Sequence, residues 1–211
     1  MSSAFRSDSI VSNEFYLPEP KYISAIRDSC PDHLKKMQMS YDECRILSLL
    51  LKMIMAENVL ELGTLIGCST AWIAHSLSGN NPKVISIEKS LNNYNIAKEN
   101  IASARLNNIV ELVNCDAIEF LEKYRSKRLF DAIFIDARKV DYSKYLKLAK
   151  QYVRAGGLII ADNTLMLYDV PQEIATEIRK FNVLVENDSE LVSVILPTTS
   201  GMTVIMKKQN N

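Results

Sequence analysis

The sequence predicts an α/β fold, a doubly wound, mostly parallel sheet with helices on both faces. Three observations predict it. Short, β-branched apolar runs alternate with longer amphipathic stretches. Each of those runs ends near Gly, Asp or Glu. The chain's 211 residues are 47% hydrophobic and 24% charged, enough for one sizeable core in a single domain. Strands separated by helices imply parallel βαβ units.

Residues 1–39 read as an N-terminal helical lead-in or cap segment. A Pro-flanked turn at Pro18 and Pro20 precedes helical material that Pro31 breaks again. Residues 40–211 form the main domain. It opens on a helix from Ser40, an N-cap with Glu43 three residues on, the capping-box spacing. Ile46, Leu49, Leu50 and Met53 then recur on one helical face and are its expected buried side. Strands are expected at Val59–Leu62, Val84–Ile87, Val110–Val113, Ala132–Ile135 and Leu158–Ala161. Helices are expected at Thr70–Leu77, Asn92–Ala104, Ala117–Tyr124, Tyr142–Val153 and around Gln172–Phe181. The last runs, Leu191–Leu196 and Thr203–Met206, are joined by the turn-rich PTTSG. They pair as an antiparallel hairpin at one edge, for about seven strands with the last antiparallel.

Charge and composition exclude several functions. Lys+Arg and Asp+Glu balance at 25 each, which gives no electrostatic reason for a nucleic-acid or membrane partner. The polar, acid-bearing N-terminus contains no run resembling a signal peptide, and Ile46–Ala56 is too short to span a bilayer. Cys30, Cys44, Cys68 and Cys115 form no CxxC pair and read as reduced thiols, so a cytoplasmic location is expected. His33 and His75 are too scattered for a His-based metal site.

In an open α/β sheet, ligands bind beyond the carboxyl ends of the strands, so the residues after each strand are the candidates. ELGTLIGCS (61–69) brackets a turn between Gly63 and Gly67 and leads into a helix N-terminus, a donor site for an anion. Leu65 breaks the dinucleotide fingerprint, and a purely structural turn is the other reading. Glu88, at the tip of the second strand, is either an acceptor for two ribose hydroxyls or a solvated surface acid. Asp116 and Ala117 either border an adenine ring or simply start a helix. Asp131 stands before the fourth strand and Asp136 at its end; Asp162 and Asn163 end the fifth. Adjacent strand ends bring Asp136, Asp162 and Asn163 to one mouth. This is a hard, oxygen-only set suited to Mg, Ca or Mn rather than zinc.

Together, VLELGTLIGCST, VISIEKS, FDAIFIDARKVDYSKY, AGGLIIADNTL and GMTVIMKK resemble the catechol and caffeoyl-CoA type O-methyltransferases, S-adenosylmethionine-dependent enzymes of Rossmann-like fold, especially their compact bacterial relatives. The resemblance runs from about Lys36 to Lys207. It implies that Glu61, Gly63, Thr64 and Ser69, with backbone near Met39, hold the methionine part of S-adenosylmethionine. It implies that Glu88 takes the ribose and that Asp116 and Ala117 flank the adenine. Asp136, Asp162 and Asn163 are then the ligands of a divalent cation, magnesium foremost. Asp136 also faces the cofactor's amino group, with Arg138 lining the same pocket, and Lys139 is the general base rather than a solvated lysine. A homodimer is the expected assembly.

Cys115 stands where many relatives have Gly, Met166 where the plant enzymes carry a tryptophan, and Ser200 replaces a frequent acid. The LYDVPQE segment is shorter than the plant loop. These departures favour a small catechol-like diol over a coenzyme A ester. The expected reaction is methyl transfer to a hydroxyl oxygen. The alternatives are a cofactor-binding but silent regulator or scaffold, and a metal-independent methyltransferase.

Overall fold

The computed structural model describes residues 18–126 and 129–209. Residues 1–17 of the expected cap segment and 210–211 of the main domain lie outside them. Helix α1 (Lys21–Asp28) starts at Pro20, whose fixed φ suits a helix entrance. Helix α2 (Tyr41–Met53) carries the expected capping box: Ser40 Oγ accepts from Glu43 N, and Glu43 Oε2 accepts from Ser40 N.

The alternation then runs β1 (Asn58–Leu62), α3 (Cys68–Ser76), β2 (Lys83–Glu88), α4 (Leu91–Ser103), β3 (Val110–Asn114) and α5 (Ala117–Lys123). It continues through β4 (Phe130–Ile135), α6 (Tyr142–Tyr152), β5 (Val153–Asp162), α7 (Gln172–Glu186), β6 (Leu191–Leu196) and β7 (Met202–Lys207). The seven strands lie in the order β3-β2-β1-β4-β5-β7-β6. Neighbours from β3 to β5 pair in parallel, and β7 is antiparallel to both β5 and β6. The terminal hairpin thus docks by its second strand, leaving β6 at the edge.

The pleat divides the core in two. In β4, Ala132 and Phe134 face helices α1–α4, while Ile133 and Ile135 face α5–α7. Buried on the first side are Ile23, Leu47, Leu51 and Ile73; on the second are Leu121, Tyr142, Tyr145 and Phe181.

Three expectations need correction. The buried face of α2 is Glu43, Cys44, Leu47, Ser48 and Leu51, not the stripe Ile46, Leu49, Leu50 and Met53. Leu49 is 60% exposed and Met53 71%. Apolar residues lie on both the Leu47/Leu51 side and the Ile46/Leu49/Leu50/Met53 side, so periodicity alone offered two faces. Packing against the rest of the fold turns the Glu43 side inward. Asp131 lies inside β4 rather than before it, accepting from the Glu57 and Asn58 amides and from Arg154 Nε. β5 begins at Val153, earlier than its apolar run suggested, with a register shift opposite Phe130–Ala132. Among the described residues no helix is long and apolar enough to cross a membrane.

Candidate active site

The strand order reverses between β1 and β4, and the carboxyl ends of these strands open into a cleft of about 1190 Å³. Its first wall is the turn after β1. Gly63 has φ +101°, and a Cβ there would lie 2.2 Å from the Asp136 carbonyl oxygen. The glycine is thus required by the close passage of the chain leaving β4. Gly67, at φ +92°, caps α3 without a side-chain bond, so the first turn of that helix faces the cleft through Cys68 and Ser69. Between the two glycines, Leu65 is also left-handed at φ +53°, which costs a β-carbon residue energy.

Glu88 explains how that conformation is held. Its Oε2 accepts from Leu65 N at 2.9 Å and its Oε1 from Ser90 N at 2.8 Å. Each carboxylate oxygen keeps lone-pair capacity for a further donor. Asp116 caps α5, accepting from Ile118 N and Glu119 N, and pairs with Lys89 at 3.0 Å. It is the N-cap that the sequence left as one of two readings, and with Ala117 it also lines the cleft.

Glu61 sits behind this wall, fully buried. Its carboxylate accepts from Ser69 Oγ (2.6 Å), Ser86 Oγ (2.6 Å) and Thr70 Oγ1. Burial pushes its pKa up to about 7, the three hydroxyls oppose the rise, and Asp136 adds to it. Thr64 joins the same network through Ser86 at 2.6 Å. Met39 also lines the cleft, its carbonyl tied to Arg27 Nη1 at 2.7 Å. Arg27 also grips Glu19, which accepts from Trp72 Nε1.

At the far end of the cleft the register pairs Ile135 with Ala161, so Asp136 and Asp162 emerge side by side. Asp136 N still bonds to Leu62 O, extending the ladder one residue beyond the strand. Asp162 is buried, and its Oδ1 accepts from Asn163 N at 2.8 Å. Asn163 adopts φ +58°. Burial pushes the Asp162 carboxyl well above the usual range, and the charges of Asp136 and Glu43 push it further. Lys139 Nζ lies 2.6 Å from Asp136 Oδ1 and 5.2 Å from the Tyr142 ring centre. Burial opposes the lysine's charge, but Tyr142 and Asp136 outweigh it and hold the ammonium above its ordinary pKa. Tyr142, in turn, donates to the Asp162 carbonyl at 2.9 Å.

The donors at this corner are those a divalent cation would need. Among the described residues, no three His, Cys, Asp or Glu side chains cluster as a metal site. Two carboxylates and an amide remain, all hard oxygens. Asp136 and Asp162 leave adjacent strand ends, and only Asp136 is paired with Lys139. These residues fit a hard cation.

Every predicted site residue lines the cleft except Glu61, which supports its wall: Met39, Gly63, Thr64, Ser69, Glu88, Asp116, Ala117, Asp136, Arg138, Lys139, Asp162 and Asn163. Arg138 is the loosest, 62% exposed and 3.7 Å from Asp141. The sequence reading missed Arg27 and the site face of Glu43. Glu43 carried a signal, but capping accounts for only one of its two oxygens.

The residues from 12 to 208 match the family model described as O-methyltransferase. A catechol O-methyltransferase of Niastella koreensis is 34% identical over 167 residues, covering 76% of this chain and 75% of its own. Caffeoyl-CoA O-methyltransferase 3 of Nicotiana tabacum is 30% identical, covering 92% and 87%. An O-methyltransferase from Bacillus cereus, solved in complex with SAH, superposes with a TM-score of 0.87 at 28% identity. That match covers 96% of this chain and 97% of the other.

Proposed function

We propose, for a chain that belongs to the O-methyltransferase family, that it transfers a methyl group from S-adenosylmethionine to a hydroxyl of a small catechol-like molecule, assisted by a divalent cation. The observation that carries this is the meeting, in one cleft, of a glycine turn at a helix N-terminus with paired strand-end carboxylates and a buried lysine. Two further features support a small aromatic acceptor. Met37 and Met166 line the cleft and offer adaptable apolar contact to a ring.

The α3 N-terminus and the Gly63–Ser69 turn receive the carboxylate end of the methyl donor, with Met39 in the same cleft. Glu88 takes the ribose hydroxyls, and Asp116 and Ala117 border the base. Asp136, Asp162 and Asn163 hold the cation, magnesium being the first choice. When bound, the sulfonium supplies an electrophilic methyl carbon and the cation lowers the pKa of the acceptor hydroxyl. Residues of the cleft align oxygen, carbon and sulfur for in-line displacement. The acceptor oxygen forms the new bond to carbon as the carbon–sulfur pair returns to sulfur. The hydroxyl proton goes to Lys139 Nζ in its neutral form. Pairing with Asp136 favours the charged form, and Asp136 would weaken that pair, and so favour the neutral base, were it to serve as a ligand of the cation.

Calorimetric titration with S-adenosylmethionine, then methyl transfer to catechol with magnesium or EDTA, tests the reading. Micromolar cofactor binding and magnesium-dependent product are expected, and Asp162→Ala should abolish the magnesium effect. Binding without turnover across phenols would point to a silent protein. Full turnover in EDTA would favour metal-independent transfer, for which the Lys139–Asp136 ion pair is the supporting observation. The family resemblance and the apolar face of α2, with Leu49 and Met53 exposed, support a homodimer, and a monomeric mass by light scattering would refute it.

A further inference from the structure

The 38–43 segment of the cleft lining holds three buried side-chain oxygens with no hydrogen-bond partner among the described residues: Gln38 Oε1, Asp42 Oδ1 and Glu43 Oε1. All are acceptors, and they lie within six residues of chain. Buried acceptors left unmatched are costly, so a cluster of them beside an open cleft implies a donor that arrives with a ligand.

Glu43 is the most informative. It is 6% exposed and lines the cleft. Its Oε2 is committed to the helix start, accepting from Ser40 N at 3.0 Å and Ser40 Oγ at 2.8 Å. Its Oε1 has no such task. It shares the cleft with Asp136, Asp162 and Asn163. A capping residue needs neither burial nor a second acid nearby, since a glutamine closes the same box.

We infer that Glu43 is a positioning residue of the cation corner: Oε1 accepts a hydrogen bond from water carried by a divalent ion on Asp136, Asp162 and Asn163, and its charge strengthens that ion's binding. The inference rests on the proposed cation site. Hydrogen-bonded partners behind metal ligands commonly change affinity by ~10-fold or more.

The test is Mn²⁺ binding to the whole chain, read by the loss of the free-ion EPR signal, with thermal melts of each protein. Glu43→Gln keeps the cap acceptor and removes the charge. It is expected to weaken Mn²⁺ binding by ~10-fold without lowering the melting temperature. Ser40→Ala damages the cap and keeps the charge. It should lower the melting temperature and leave Mn²⁺ affinity within about twofold of wild type. Should Glu43→Gln fold poorly, Glu43→Asp, which keeps the charge but withdraws Oε1, is expected to weaken binding by severalfold. Equal Mn²⁺ affinity in wild type and the folded Glu43 variant overturns the inference and leaves the cation site standing. Equal loss in the Ser40 and Glu43 variants also overturns it, because the helix start would then set the affinity. A wild type that binds no Mn²⁺ overturns both readings.

Discussion

Replacing Glu61 by glutamine should change how stability depends on pH. The carboxyl is fully buried, and its pKa rises from an ordinary 4.5 to about 7. Between those values the native chain holds a proton that the unfolded chain has released. Stability from this group is therefore complete below 4.5 and declines as pH rises through about 7. The difference is roughly 3 kcal/mol at about 1.36 kcal/mol per pH unit. Glutamine has nearly the same shape and does not titrate. The Ser69, Thr70 and Ser86 hydroxyls can turn to accept from its amide. Urea unfolding of wild type and Glu61→Gln at pH 5 and pH 8, without ligand, isolates the effect, because other groups cancel in the difference. The variant should gain roughly 2–3 kcal/mol relative to wild type between the two pH values, or about 1 M in urea midpoint. Parallel pH dependences would refute the reasoning and mean that Glu61 is as ionised in the native state as in the unfolded one.

Other outcomes follow from the same geometry. Gly63→Ala should lose about 3 kcal/mol or more in urea unfolding, since its Cβ would meet the Asp136 carbonyl at 2.2 Å in a left-handed backbone. Arg27→Met strands Glu19 and frees the Met39 carbonyl. It should cost about 3 kcal/mol and expose residues 18–40 to limited proteolysis. Tyr142→Phe removes a buried bond to the Asp162 carbonyl and should cost about 1–2 kcal/mol in the same unfolding assay. Lys139→Met should leave cofactor titration unchanged while lowering turnover by about 100-fold or more, and unchanged turnover would remove it as the base.

The α/β alternation was legible in the sequence because strands and helices differ in period and length, and because β-branched runs end in chemistry-bearing residues. The pairing of Asp136 with Asp162 followed from the same logic, since residues just past adjacent parallel strands must share one edge. The helix start at Ser40 was legible too, being a local bond pattern three residues long. Burial was not. The face that α2 turns inward is chosen by what stands opposite it, and with apolar residues on both sides its own spacing could not decide. The same holds for Glu61, whose place behind the wall depends on hydroxyls from α3 and β2, and for Arg27, which joins residues from three segments. Local periodicity and strand-end chemistry therefore determined the fold class and the edge where the site lies. Only tertiary packing decided which acids are buried, which oxygens remain unpartnered, and hence where charge accumulates, because desolvation depends on neighbours far apart in the chain.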